Sequence, residues 1–261
     1  MELEIYQIDA FTSKVFGGNP ACVVPLDEWL DDEVLIKIAK ENNVSETAFF
    51  VKNKNGFHIR WFTPDLEMDL CGHATLATAY CLKEYRNYQN DEILFHSKSG
   101  TIKSKFIKDK IELELPLREP KKTEIPQNLF NAINYKPVEV LKARDFILVF
   151  DNQLIIENIK INRFEFDKIN IDTGGVAFTS PGNYCDFVSR FFTPQSSIFE
   201  DSVTGSSHCS LVPYWSRKLN KKKLKSIQLS ERTGILECEA HKNYISVSGK
   251  AKTYLKGKIF V

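Results

Sequence analysis

The chain spells one short passage twice. Arg60-Trp61-Phe62-Thr63-Pro64 returns as Arg190-Phe191-Phe192-Thr193-Pro194. Each copy runs into a glycine-centred turn and a string of small residues: Cys71-Gly72-His73-Ala74-Thr75-Leu76-Ala77 first, then Thr204-Gly205-Ser206-Ser207-His208-Cys209-Ser210. Upstream, Phe57 matches Phe187 and, with a one-residue gap, Ala48-Phe49 matches Ala177-Phe178, so the aligned parts cover residues 46–77 and 175–212. So many positions in one order favour a unit built twice over a chance recurrence of aromatic residues. A chain of this kind is expected to form two halves of like plan, with its ligand between them.

The 261 residues suffice for one large domain or two modest ones. A net charge of +1 provides no field to recruit nucleic acid or an anionic membrane. The one cationic run, Arg217-Lys218 with Lys221-Lys222-Lys223 and Lys225, reads as a solvated helix end and loop. No signal peptide is evident, and no run approaches the roughly 18 apolar residues that a spanning helix needs. The six scattered cysteines read as reduced thiols in a cytoplasm, and no cysteine or histidine spacing suits a metal.

Periodicity predicts strands at residues 3–10 and 21–24, an amphipathic helix over 32–42, and strands at 47–52 and 56–63. A helix over 72–86 is apolar nearly all round and therefore buried. A meander follows at 92–97, 101–107 and 111–115. The proline-bearing stretch from Pro116 to Pro137 separates the halves, 1–117 and 118–261. The second half is expected to have a strand at 146–150, a helix around 153–160, strands at 175–179 and 185–192, and a buried helix from about 205 to 219. Strands at 226–230, 234–240 and 243–248 close it, and Lys258–Val261 can pair back onto the first half.

Two buried helices starting at Gly72 and Gly205 would present unpaired N–H groups and the positive end of the helix dipole. Either glycine alone fits a tight turn; as a pair they point to a site for a carboxylate. Amide donors aimed at that carboxylate stabilise the enolate-like state of an adjacent carbanion, which leaves a proton-transfer group to be found. Glu46 opens an apolar strand, where a carboxyl group can take and return a proton near neutral pH. Its counterpart is Gly175, so the duplication does not explain this acid. Cys71, at the start of the first buried helix, is the second candidate. Its counterpart is Thr204, so the symmetric pair of thiols that a two-base racemase uses is missing. His73 and Ser206 occupy matching places, one step after each glycine. Asp201 could orient a substrate or a catalytic side chain, and His208 and Cys209 read as core.

The segments Asn43-Val44-Ser45-Glu46-Thr47-Ala48-Phe49, Cys71-Gly72-His73-Ala74-Thr75 and Glu200-Asp201-Ser202-Val203-Thr204-Gly205-Ser206, with Gly17-Gly18-Asn19-Pro20-Ala21, resemble the PhzF (phenazine-biosynthesis) isomerase family over essentially the whole chain. The resemblance implies an α+β fold of the diaminopimelate epimerase type: two pseudo-symmetric halves, each a curved, mostly antiparallel sheet around a buried helix. It implies a homodimer with neither metal nor organic cofactor. It assigns proton transfer to Glu46, with His73 and Asp201 also catalytic. Substrate binding then falls to Gly72, Gly205, Ser206, Asn19 and Cys71. The function expected is a cytoplasmic isomerase of a small carboxylate. The alternatives are an amino-acid racemase or epimerase using Cys71, and a non-catalytic binder of small acids.

Overall fold

The computed structural model describes residues 1–172 and 174–261. The chain divides into two compact units, Met1–Leu115 with Ser246–Val261, and Pro116–Ile245. The first stretch carries β1 (Glu2–Ala10), β2 (Asn19–Leu26), α1 (Asp32–Asn42), β3 (Glu46–Asn53), β4 (Gly56–Phe62), β5 (Glu67–Met68), α2 (Gly72–Tyr85), β6 (Glu92–Ser97), β7 (Gly100–Ile107) and β8 (Lys110–Pro116). The second unit carries β9 (Lys121–Lys122), α3 (Gln127–Ala132), β10 (Glu139–Lys142), β11 (Phe146–Val149), α4 (Gln153–Asn158), α5 (Arg163–Phe166), β12 (Val176–Pro181), β13 (Phe187–Phe192), β14 (Glu200–Asp201), α6 (His208–Leu219), β15 (Lys223–Gln228) and β16 (Gly234–Ala240). Then β17 (Tyr244–Gly249) returns the chain to the first unit, and β18 (Ala251–Phe260) pairs antiparallel with β1.

The repeated sequence makes a repeated arrangement. In the first unit β2 runs parallel to β3, which turns back into antiparallel β4; in the second, β11, β12 and β13 do the same. The registers match residue for residue: Ala48 faces Trp61 and Phe49 faces Arg60, as Ala177 faces Phe191 and Phe178 faces Arg190. Each strand pair then meets a two-residue strand, β5 or β14.

Side chains alternate across a strand, so each copy offers two faces. One face supports an aromatic core. Phe49 and Phe62 meet edge to face at 5.7 Å in the first unit, and Phe178 and Phe192 at 5.5 Å in the second. Beside them Arg60 reaches Glu67 through two hydrogen bonds of 2.8 and 2.9 Å, and Arg190 reaches Glu200 at 2.7 and 2.8 Å. Two-pronged pairs of this sort tie the short strand to the hairpin with directional bonds. The Arg60 hydrogen bonds hold the Glu67 carboxyl below the usual carboxylate range.

The other face of β3 meets α2, which packs on β1, β2 and β3. This helix is buried almost throughout, as expected from its sequence. Two threonines remain in it because their hydroxyls bond backbone carbonyls one turn back, Thr75 to Cys71 at 2.5 Å and Thr78 to Ala74 at 2.7 Å. In the second unit α6 packs on β15 and β16, and the Trp215 indole donates to Thr179 of β12 at 2.9 Å. Pro213 lies inside α6 and cannot donate to the Cys209 carbonyl; Arg118 N–H fills that place at 3.0 Å.

One boundary differs from expectation. The helix expected from residue 205 begins at His208, and Gly205–Ser207 form a tighter turn with His208 N–H bonded to Gly205 O and Cys209 N–H to Ser206 O. The cause is local. The Thr204 carbonyl, which an α-helical turn would offer to His208 N–H, is taken by the Ser207 hydroxyl and His208 Nδ1, each at 2.8 Å. The proline-bearing stretch also holds more order than its composition suggests, namely β9 and α3.

Candidate active site

Four of the residues singled out in the sequence come together in the first unit. Glu46 stands at the first position of β3 and His73 at the second position of α2, with His73 Nε2 3.1 Å from Glu46 Oε2. The side chains are 2% exposed for His73 and 12% for Glu46, so the acid alone of the pair keeps a narrow path to solvent. Asn19 Nδ2 lies 3.1 Å from His73 Nδ1, and Cys71 Sγ lies 3.5 Å from the same nitrogen.

Each residue is placed by a definable local cause. Gly18 has φ +61°, and a Cβ there would overlap the Ala10 carbonyl oxygen; only glycine makes this turn, which sets Asn19 at the head of β2 opposite Ala10. Parallel pairing of β2 with β3 then sets Ala21 beside Glu46. Cys71 is the last extended residue before α2, with φ −135° and ψ 117°. The three following N–H groups have no helical carbonyl to bond and face outward with the positive end of the dipole.

Glu46, Cys71 and His73 offer donor atoms within 4.8 Å of one another, the usual reach of a metal site. The approach here divides them: the carboxylate addresses Nε2 and the thiol Nδ1, on opposite edges of the ring. A single ion on either nitrogen would take one partner and lose the other, so the arrangement fits a hydrogen-bonded chain better than a metal centre.

In the second unit Asp201 ends β14, and its Oδ2 accepts from the Thr204 hydroxyl at 2.5 Å. Gln228 closes the same turn, accepting from Thr204 N–H at 2.9 Å and donating to the Asp201 carbonyl at 2.6 Å. Gly205 and Ser206 follow in the tight turn ahead of α6. Gln228 escaped the sequence reading; it lies in no motif, and only strand pairing brings β15 to this turn. His208 is core, as expected. Its Nδ1 must donate to a carbonyl, its Nε2 accepts from Ser226 at 3.0 Å, and burial pushes its pKa down to about 4. Cys209 is also core, its thiol pushed up to about 12 by burial.

Trp61 joins the acid's surroundings by position. It faces Ala48, two residues along β3 from Glu46 on the same side of the strand, and its fully buried indole N–H has no hydrogen-bond partner among the described residues.

Comparison with known proteins identifies the family and the fold. The family model described as phenazine biosynthesis-like protein (PhzC-PhzF) matches residues 8–257. An uncharacterized isomerase of Pseudomonas aeruginosa is 42% identical over 260 residues, covering 99% of each chain. A crystal structure of a PhzF-family phenazine biosynthesis protein from Enterococcus faecalis superposes with a TM-score of 0.94 at 38% identity, covering all of both chains. At 18% identity, a Pseudomonas aeruginosa protein described as a predicted epimerase shares the fold with a TM-score of 0.76 over 99% of both chains. The fold is therefore the sheet-dominated α/β fold of the PhzF-family structure, shared by the more distant protein. Among the described residues no helix is long and apolar enough to cross a membrane.

Proposed function

The chain belongs to the phenazine biosynthesis-like PhzF family and is an isomerase, and we propose that it moves a proton within a small carboxylate-bearing metabolite, with Glu46 as the acid and base. The observation that carries this reading is the contact of 3.1 Å between Glu46 Oε2 and His73 Nε2 at the start of a buried helix.

In the proposed reaction the substrate carboxylate sits on the amides opening α2. Glu46 removes the proton from the neighbouring carbon. The C–H electron pair spreads onto the carboxylate, whose charge the helix amides stabilise. The Glu46 carboxyl, partly open to solvent, exchanges its proton and then delivers a proton to a different carbon of the extended system, so the molecule is isomerised with no net gain or loss. Asp201 is proposed as a further catalytic residue, and Gly205 and Ser206 as substrate-binding residues. Every step uses groups of this chain, the substrate and solvent protons alone. A cytoplasmic homodimer belongs to the same proposal, and the six free thiols agree with a reducing compartment.

A two-base racemase reading is less favoured. The second-copy counterpart of Cys71 is Thr204, whose hydroxyl is already bonded to Asp201. The decisive experiment is solvent-deuterium incorporation into a turned-over small carboxylic acid. Glu46→Gln keeps the shape and removes the base, so exchange is expected to fall by about 10²- to 10⁴-fold. Undiminished exchange in Glu46→Gln would remove Glu46 from the reaction.

A further inference from the structure

We infer that Asn19 is a positioning residue that sets the tautomer of His73, and that His73 in consequence acts as a hydrogen-bond donor toward Glu46 and not as a second base. The inference rests on the proposed role of Glu46.

The argument starts from what each atom can do. An Asn amide nitrogen only donates, and an unprotonated imidazole nitrogen accepts. Asn19 is fully buried, and its Nδ2 lies 3.1 Å from His73 Nδ1. Nδ1 is therefore the accepting nitrogen, and in a neutral ring the proton resides on Nε2, the atom 3.1 Å from Glu46 Oε2. Reversing the amide tests this assignment. With the Asn19 oxygen toward the ring, Nδ1 must carry the proton, and Nε2 would turn a bare lone pair on an ionised carboxylate. Two acceptors at that separation repel, so an ionised Glu46 selects the amide orientation observed. Cys71 Sγ also approaches Nδ1, but at 3.5 Å a thiol is the weaker donor of the two.

The consequence is chemical. With Nδ1 engaged by Asn19 and Nε2 protonated, the neutral ring has no site at which to collect a substrate proton. It can only offer Nε2–H to the Glu46 carboxylate, which favours the charged form of that acid before it takes the proton. The turn at Gly18 gains a purpose: it holds the amide that fixes the proton on the far side of the ring.

The second buried histidine supplies an internal reference. His208 Nδ1 faces the Thr204 carbonyl at 2.8 Å and must carry its proton there, the opposite tautomer. Nitrogen-15 NMR of histidine-labelled full-length protein, with His73→Gln to assign the ring, reads both directly and needs no substrate. The expected spectrum shows His73 protonated at Nε2 and His208 at Nδ1. In Asn19→Asp a carboxylate replaces the amide donor, and Nδ1 of His73 is expected to become protonated as well, moving from the acceptor to the donor class of shift. Cys71 and Glu46 are titratable groups that also face the ring, and both are unchanged in that variant. Wild-type His73 protonated at Nδ1 would overturn the inference, as would an Asn19→Asp spectrum in which Nδ1 stays bare. Should Asn19→Asp not fold, the wild-type spectrum alone decides. Because no turnover is measured, the tautomer can fail while Glu46 keeps its role, and the exchange experiment can fail while the tautomer stands.

Discussion

The two copies of the repeated unit share a skeleton and divide the chemistry. β3–β4 and β12–β13 match in register, in the edge-to-face phenylalanine pair, and in the arginine that grips the next short strand. Even the helix starts agree in one detail: Thr75 and His208 stand at matching places, and each bonds the carbonyl of the residue before its glycine, Cys71 or Thr204. The copies part where the acid stands. At Glu46 the first copy has a carboxylate beside His73. At Gly175 the second has no side chain, and an added Cβ would overlap the Phe191 ring and lie 2.8 Å from the Phe192 carbonyl oxygen. The aromatic of the second copy occupies what the acid of the first requires. The skeleton tolerates one proton-transfer group per repeat position, and the packing partner decides which copy has it.

Transplanting side chains between the copies tests that statement, and the largest effect is expected from Gly175→Glu. The new side chain must displace Phe191, and it brings a carboxylate to a backbone N–H already bonded to Asp145 at 2.9 Å. Overpacking of this kind costs about 1–3 kcal/mol, and displacing a ring puts this variant at the upper end. Chemical denaturation should register it as a lower midpoint with an unchanged slope. Partial recovery is expected in Gly175→Glu with Phe191→Ala. A Gly175→Glu protein as stable as wild type would show that the aromatic is not what excludes the acid.

A smaller effect separates the two helix starts by pH. His208 has its folded pKa depressed to about 4 from an ordinary 6.5, because burial disfavours the imidazolium. The unfolded chain then binds the proton first as pH falls. Stability is present above pH 6.5, declines as pH drops through the window from 6.5 to about 4, and has lost its full share below it. Between pH 7 and pH 5 the loss from this group amounts to about 2 kcal/mol. His208→Thr installs the first copy's residue, whose hydroxyl can still reach the Thr204 carbonyl. It should be less stable at pH 7 for lost packing, yet lose about 2 kcal/mol less on going to pH 5. Equal acid slopes for the two proteins would mean that His208 charges without cost.

How much of this could be read from the chain follows from the same contrast. The repeat was legible because the skeleton uses the same residue types twice, and Glu46 was legible because it broke the repeat. α1 announced itself through apolar spacing and α2 through a run of small apolar residues, and both matched their predicted spans closely. The start of α6 did not, since capture of the Thr204 carbonyl by two side chains has no periodic signature. Nor did β18. It alternates weakly, is largely exposed and carries Lys252, Lys256 and Lys258, so backbone pairing with β1 places a strand far longer than the four terminal residues expected. Short elements such as β9, β10 and α5 are likewise held by tertiary partners and not by local pattern. Asn19 entered through family resemblance alone; its nearness to His73, more than fifty positions away, emerges only when β2 and α2 meet.

The smallest effect is expected where the copies differ without chemical consequence. Cys71→Thr puts the second copy's residue at the head of α2. Cys71 makes no side-chain cap to its helix, so the exchange leaves the amides that open α2 in place. Of the two contacts to His73 Nδ1, the longer one from Cys71 is lost and the one from Asn19 remains. If one carboxylate moves the proton, Cys71→Thr should retain turnover to within about tenfold, far from the 10²- to 10⁴-fold that loss of an acid or base produces. It should also match wild type in its indifference to a thiol alkylator. A loss as deep as that of Glu46→Gln would make the thiol a proton carrier. The asymmetry between Cys71 and Thr204 would then be the core of the reaction, and a one-acid isomerase would give way to an epimerase with unlike bases.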